Sequence, residues 1–210
     1  MADLHRVLFL LSVGLLSALC AGMIRRGKAA RSVTFSLYIG AATVFSLLYL
    51  FFPGSYTPEA FMIKQGIYDS LLFGMALEIS YKAFRAFHGI AAQVRGLLAS
   101  AVTISTVMIF ALTPANQEYA DIGRYQPGIT TAGIWCLAFI AMLIVWYQIP
   151  VPSFTRAILL AYIPYLVVFV IVMDLVARLG WGVVQNLNVL NVAAYDLAIG
   201  YLAYAAWRKD

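Results

Sequence analysis

The feature that most constrains this chain is a series of apolar runs, each near the roughly 20 residues that a bilayer demands of a helix. Seven segments have this character, at approximately 7–24, 33–52, 67–87, 96–113, 129–148, 156–177 and 187–207. The runs are continuous rather than alternating, which favours helices over a transmembrane barrel. The predicted fold is therefore all-α: a polytopic membrane protein forming one transmembrane domain over residues 1–210, a seven-transmembrane-helix bundle.

Composition supports this class. Apolar residues make up 63% of the chain and charged residues 11%, with a mean hydropathy of +0.88, so there is too little polar surface to cover a water-soluble globule. The first segment begins close to Met1, which raises the alternative of a cleaved signal peptide. Its start, MADLHR, carries little positive charge, whereas RRGKAAR follows the apolar run, an order typical of a membrane anchor.

The basic residues predict an orientation. If the N-terminus lies outside, ten of the 14 Lys and Arg residues fall on the inner side, leaving outside only Arg6, Lys64, Arg124 and Arg178. The acids show the complementary pattern, since six of them lie at or near the outer side: Asp3, Glu59, Asp69, Glu118, Asp121 and Asp174. We therefore expect a multi-pass protein of a bacterial inner (cytoplasmic) membrane, with its N-terminus outside and its C-terminus inside. The net charge of +5 follows from this topology, so no nucleic-acid partner is expected.

The third segment carries three charges on one helical face. Glu78, Lys82 and Arg85 follow one another at positions i, i+4 and i+7. In a structural interpretation, Glu78 and Lys82 neutralise each other, and Lys82 and Arg85 extend to the inner headgroups. In a functional interpretation, Glu78 faces a cavity as a proton or cation site tuned by the neighbouring positive charges.

The seventh segment carries an acid near its middle. Asp196 has no basic residue within two turns on its own helix, and its face consists of small side chains that allow close helix packing. We therefore expect Asp196 to face the bundle interior, either protonated or accepting hydrogen bonds from Ser, Tyr or Lys82 of another helix. Asn191, nearer the outer end, is a further intramembrane polar candidate, more often a contact between helices than a ligand site.

The sixth segment contains an ion pair and a proline. Asp174 and Arg178 lie at positions i and i+4 near the outer end, where a structural ion pair is the simpler interpretation. Pro164 removes one backbone hydrogen bond inside the segment, so a kink is expected there, and with it a candidate hinge. Two longer outer connections, beginning at Pro53 and Thr113, are predicted as loops that form a recognition surface.

Several chemistries lack the residues they require. The seventh segment has no lysine for a retinal Schiff base, and the two histidines, His5 and His88, lie at segment ends. No Ser/His, Cys/His, paired-Asp or HExxH arrangement occurs. Cys20 and Cys136 fall inside apolar segments, where a small core residue is the simplest interpretation. We expect no enzymatic activity, no cofactor and no metal site.

A resemblance adds to this interpretation. The third segment pairs Tyr68 with Asp69 and, after an apolar run, continues with Glu78, Tyr81, Lys82, Phe84 and Arg85. This pattern resembles that of uncharacterised small seven-span proteins of acidobacterial type, and the gross topology is similar to the seven-helix sensor regions of bacterial histidine kinases. The resemblance implies a sensor-like protein, although only RKD follows Trp207, where those kinases carry an output domain.

The sequence thus leads to two functional hypotheses. The first is a non-enzymatic, sensor-like or accessory subunit in the lipid bilayer that acts through a partner membrane protein or as a homo-oligomer. The alternative is a small proton- or cation-coupled transporter or channel that uses Glu78 and Asp196 as ion sites, with Pro164 at a hinge.

Overall fold

A computed structural model describes residues 2–55, 57–85, 96, 100, 122–179 and 184–209. Six α-helices make up this part of the chain, with a 3-10 turn at Pro53–Ser55: α1 (Ala2–Arg25), α2 (Val33–Phe51), α3 (Pro58–Phe84), α4 (Ile122–Trp146), α5 (Ser153–Leu179) and α6 (Val184–Trp207). The all-α prediction is confirmed. The fourth predicted segment, 96–113, lies outside the described residues apart from positions 96 and 100.

Five of these helices are long and apolar enough to cross a membrane. They contain the stretches Val7–Arg25, Val33–Phe51, Gly128–Trp146, Ser153–Val176 and Leu187–Trp207, which correspond to predicted segments one, two, five, six and seven. No more than 39% of any stretch is buried inside the protein. Large apolar side chains in each of the five stretches are exposed, among them Leu10, Val44, Val145, Ile171 and Leu197, where lipid would solvate them.

Helix α3 differs from its prediction. It begins at Pro58, nine residues before the predicted start at Ile67, so the loop predicted from Pro53 is wrong beyond Thr57. The cause is local: Thr57 is the N-cap, with its Oγ1 accepting a hydrogen bond from the Ala60 N–H at 3.2 Å, and Pro58 occupies the first turn. Helix α3 contains five charged residues and is not among the five helices that are long and apolar enough to cross a membrane.

The helices pack as a closed ring in which each contacts the next along the described chain, and α6 packs back on α1. Helices α1 and α6 run in the same direction, since Ser12 bonds to Asp196 and Ala18 O accepts a hydrogen bond of 3.0 Å from the Trp207 indole. Their close approach depends on Gly22, because a Cβ there would lie 2.8 Å from the Trp207 ring.

The two halves of the ring are filled differently. We call the end where α1 begins the N-terminal end, and the end where α1 and α6 finish the C-terminal end. Toward the C-terminal end the interior is solid, and Phe35 and Phe154 pack edge to face with centroids 5.9 Å apart. Fully buried side chains surround them, among them Leu19, Met75, Leu137, Ile158 and Leu202. Toward the N-terminal end the ring encloses a cavity.

Candidate ligand-binding cavity

The interior cavity has a volume of about 710 Å³ and is lined by residues from all six helices. Its polar lining mixes hydroxyl, amide and charged groups: Ser12, Ser46, Lys64, Gln65, Asp69, Thr130, Asn188 and Asn191. A separate groove of about 810 Å³ lies between α2 and α3, but its lining is Gly, Ala, Ser, Leu and Ile. Because the interior cavity combines apolar walls with converging polar groups, it is the better candidate for a ligand site.

A tyrosine cluster forms one wall of this cavity. It consists of Tyr38, Tyr68, Tyr162, Tyr165 and Tyr195. Successive ring centroids lie 5.0 Å apart for Tyr38 and Tyr68, 5.3 Å for Tyr38 and Tyr162, 5.8 Å for Tyr162 and Tyr165, and 5.2 Å for Tyr165 and Tyr195. The rings therefore run without a break from α3 across α2 and α5 to α6, at separations typical of favourable aromatic contacts.

Helix α3 contributes the charged groups of the lining. Asp69 Oδ1 accepts a hydrogen bond of 3.3 Å from the Gln65 amide. Lys64 Nζ lies 5.6 Å from the centroid of the Tyr49 ring and 5.9 Å from that of Tyr68, within the range of a cation–π contact. Lys64 precedes the predicted segment 67–87, and burial lowers the pKa of its ammonium.

Asp196 lies directly behind the cavity wall. It is 6% exposed, and its Oδ1 accepts a hydrogen bond of 2.5 Å from the Ser12 hydroxyl, which itself lines the cavity. Asp196 Oδ2 has no hydrogen-bond partner among the residues that the structure describes, and the same is true of Asn191 Oδ1. The polar candidates of the seventh predicted segment thus belong to the cavity and its immediate surroundings.

Glu78 and Lys82 lie elsewhere, toward the C-terminal end. Glu78 accepts hydrogen bonds from the Val33 N–H at 2.9 Å and the Thr34 N–H at 2.7 Å, so it caps the first turn of α2 from a neighbouring helix. Lys82 pairs with Glu78 and also donates to the Arg31 carbonyl oxygen. Glu78 therefore has a structural task, and the fold does not bring it together with Asp196.

The remaining predicted site residues lie in α5. Asp174 is exposed near the end of that helix, and the side chain of Arg178 is outside the described part of the protein, so their ion pair stays a prediction. The helix continues through Pro164 to Leu179, and Tyr162 and Tyr165 on either side of the proline belong to the tyrosine cluster. A hinge at Pro164 also stays a prediction.

The sequence interpretation missed the tyrosine cluster and the place of Asp69 in it. Asp69 served only as evidence for topology, and no tyrosine was singled out as a site residue. A signal was available, because Tyr38, Tyr162 and Tyr195 lie well inside their segments, whereas membrane tyrosines concentrate at the interfaces. Tyrosines inside three different spans would have indicated a shared interior surface.

Fold and cavity together define the class: an all-α protein with five helices long and apolar enough to cross a membrane, arranged around an aromatic and polar cavity. Comparison with protein-family models, with curated proteins and with solved structures finds no match.

Proposed function

We propose that this protein is a non-enzymatic, seven-span sensor-like protein of a bacterial inner membrane. It binds a small molecule in the interior cavity and acts through a partner membrane protein or a second copy of itself, without a cofactor. The observation that carries this proposal is the asymmetry of the interior, which holds a cavity in one half of the ring and solid packing in the other.

The solid half supports binding over passage. Tyr162 and Phe35 are fully buried and Phe154 is 3% exposed, and together they lie between the cavity and the C-terminal end. Beside Glu78 and Lys82 the remaining void is only about 10 Å³. A void of that size is at the lower limit for one water molecule, so it offers no route for a solute.

Helix direction supports seven spans. Helices α3 and α4 run in the same direction, because Leu72 packs against Gly133 while Asp69 and Thr130, one turn earlier in each helix, line the same cavity. One return crossing between the end of α3 and the start of α4 would account for this shared direction. We assign that return to the predicted segment 96–113, which makes the number of crossings odd and puts the two termini on opposite sides.

Charge supports the orientation. Basic residues gather at the C-terminal end of the ring: Arg25, Lys28, Arg31, Lys82 and Arg208. Lys28 is buried, and its Nζ donates to the Ala205 and Arg208 carbonyl oxygens at 3.0 Å and 2.7 Å, so this lysine helps to hold the ends of α1 and α6 together. By the positive-inside rule this end is cytoplasmic, so the half of the ring that holds the cavity faces the outer side, and we propose that the cavity opens there.

The transporter hypothesis remains the second candidate, favoured by the unpartnered Asp196 Oδ2 beside the cavity. Glu78 supports it less, since both of its carboxylate oxygens are engaged by the first turn of α2.

Proton flux separates the two functions. Purified protein is reconstituted into liposomes loaded with a pH-sensitive dye, and a potassium diffusion potential is imposed. A sensor predicts the same proton entry as protein-free liposomes, both for the wild type and for Asp196→Asn. Proton entry above the protein-free level that Asp196→Asn abolishes would overturn the sensor proposal in favour of transport.

A further inference from the structure

We propose, resting on the sensor function above, that the cavity binds an organic ammonium ion: a protonated amine carried on an apolar or aromatic body. Three features of the lining lead to this ligand class, namely the aromatic rings of the tyrosine cluster, the charge of Asp69 and two buried hydroxyls that make no hydrogen bond of good geometry to the described residues.

The tyrosine cluster is the first of these three features. Five phenol rings border one cavity, and the negative face of an aromatic ring attracts a cation within about 6 Å of its centroid. The protein already uses one of these rings in this way, since the ammonium of Lys64 lies 5.9 Å from the centroid of Tyr68. Tyr162, Tyr165 and Tyr195 line the same cavity, so we expect their rings to contact a bound cation in the same way.

The charge of Asp69 is the second feature of the cavity lining. Its carboxylate lines the cavity, accepts a hydrogen bond from Gln65 and forms no ion pair with any residue in the described part of the chain. A carboxylate in a low-dielectric site is stabilised by an opposite charge nearby. Asp196, one layer behind Ser12, adds a second acid on the opposite side of the ring.

Two buried hydroxyls are the third feature of the cavity lining. Thr130 is 2% exposed and Tyr162 fully buried, and both line the cavity; their hydroxyls lie beside the Asp69 carboxylate and the Tyr38 hydroxyl, respectively, without making a hydrogen bond of good geometry to another described residue. A buried polar atom without a partner costs free energy, which a bound group with N–H donors would recover. An ammonium that retains N–H bonds can donate hydrogen bonds to these hydroxyls and contact the aromatic rings at the same time. The volume of about 710 Å³ leaves room for an apolar body beyond the charged group.

The test compares an amine with its neutral isostere. The full chain in nanodiscs is titrated with 2-phenylethylamine and, separately, with 2-phenylethanol, which keeps the ring and the size but lacks the charge. We expect the amine to bind at least about 10-fold more tightly, because a desolvated charge pair and cation–π contacts are lost with the alcohol.

Variants locate the site. Asp69→Asn removes the cavity carboxylate and should weaken amine binding about 10-fold or more, whereas the matched change Asp174→Asn, at an exposed acid near the end of α5, should leave it unchanged. Asp69→Glu keeps the charge and should retain binding, which distinguishes loss of charge from loss of folding. Tyr165→Leu tests the ring contribution independently and should weaken the amine more than the alcohol.

Equal affinity for amine and alcohol, no binding of the amine, or amine binding that Asp69→Asn leaves intact would each overturn the ammonium proposal. None of these results would restore proton transport, which the flux measurement tests separately. Conversely, proton entry that depends on Asp196 would overturn the sensor function even if the amine binds.

Discussion

The Ser12 hydroxyl donates a hydrogen bond of 2.5 Å to Asp196 Oδ1 across the interface between α1 and α6. The two residues are 184 positions apart in sequence, and both lie near the middle of their helices. This contact joins the first and last helices of the ring at the depth of the cavity, so it links the closure of the fold to the site.

Loss of the serine should destabilise the ring. Ser12→Ala leaves a 6% exposed carboxyl group with both oxygens unpaired, which should cost about 1–3 kcal/mol of unfolding free energy. The measurement is unfolding in mixed detergent micelles. Ser17→Ala is the matched control on the same helix, because the exposed Ser17 hydroxyl bonds only within the helix, to the Val13 oxygen.

A double-mutant cycle then isolates the pair. Asp196→Asn in the Ser12→Ala background should cost less than in the wild type, with a coupling of about 0.5–3 kcal/mol for residues in contact. Additive effects of the two substitutions would show that the hydrogen bond contributes nothing to stability.

Removal of Glu78 should loosen the start of α2. Glu78→Ala deprives the Val33 and Thr34 N–H groups of their acceptor and should cost about 1–2 kcal/mol, as loss of a helix cap does. Glu78→Gln keeps one oxygen acceptor and should cost less. The ion pair adds little, because Lys82 is 44% exposed and exposed pairs contribute about 0–1 kcal/mol. An equal loss in Glu78→Ala and Glu78→Gln would contradict the capping role.

Alanine substitutions at two glycines of α1 should change the stability of the protein in opposite directions. Gly14→Ala meets nothing within 4 Å and should stabilise the helix by about 0.5–1 kcal/mol through propensity alone. Gly22→Ala introduces a Cβ 2.8 Å from the Trp207 ring, which has to shift and loosen its hydrogen bond to the Ala18 oxygen. The midpoint temperature of thermal unfolding should therefore rise for Gly14→Ala and fall for Gly22→Ala. A change of the same sign in both variants would contradict the close approach of α1 and α6.

Removal of the buried Ser80 hydroxyl should not reduce the stability of the protein. Ser80 is 1% exposed, and its Oγ has no hydrogen-bond partner within the described ranges. Ser80→Ala should therefore leave stability unchanged or raise it by about 1 kcal/mol, since an unpaired buried hydroxyl is costly. A clear loss in the same unfolding measurement would show that this hydroxyl has a partner.

The features that follow from short stretches of sequence were predictable. Each helix that spans a bilayer needs about 20 apolar residues, whatever the rest of the chain does, so its position can be predicted from a single run. Segment 33–52 agrees with helix Val33–Phe51 to within one residue. The Glu78–Lys82 pair followed from i, i+4 spacing. The early start of α3 could also have been predicted, because Thr57 and Pro58 form a helix-capping signal. The charged and aromatic residues that follow suggested a loop instead.

The features that depend on distant residues were not predictable. Glu78 accepts from backbone groups 44 and 45 positions away, and nothing in a single helix indicates that its carboxylate caps another one. Asp196 was expected to find a partner, but Ser12 is one of several serines that satisfy the same chemistry. The cavity depends on five tyrosines from four helices, and their meeting is set by the order of helices in the ring.

The most direct test of the central claim, a cavity open to one side of a membrane protein, is the sidedness of cysteine labelling. In a background with Cys20 and Cys136 replaced by Ala, Ser46→Cys places a thiol in the cavity lining and Lys209→Cys places one after α6. Right-side-out vesicles are treated with a membrane-impermeant maleimide before and after permeabilisation. We predict labelling of the cavity cysteine before permeabilisation and of the terminal cysteine only after it. A terminal cysteine that reacts from outside, or a cavity cysteine that reacts only after permeabilisation, would contradict the account.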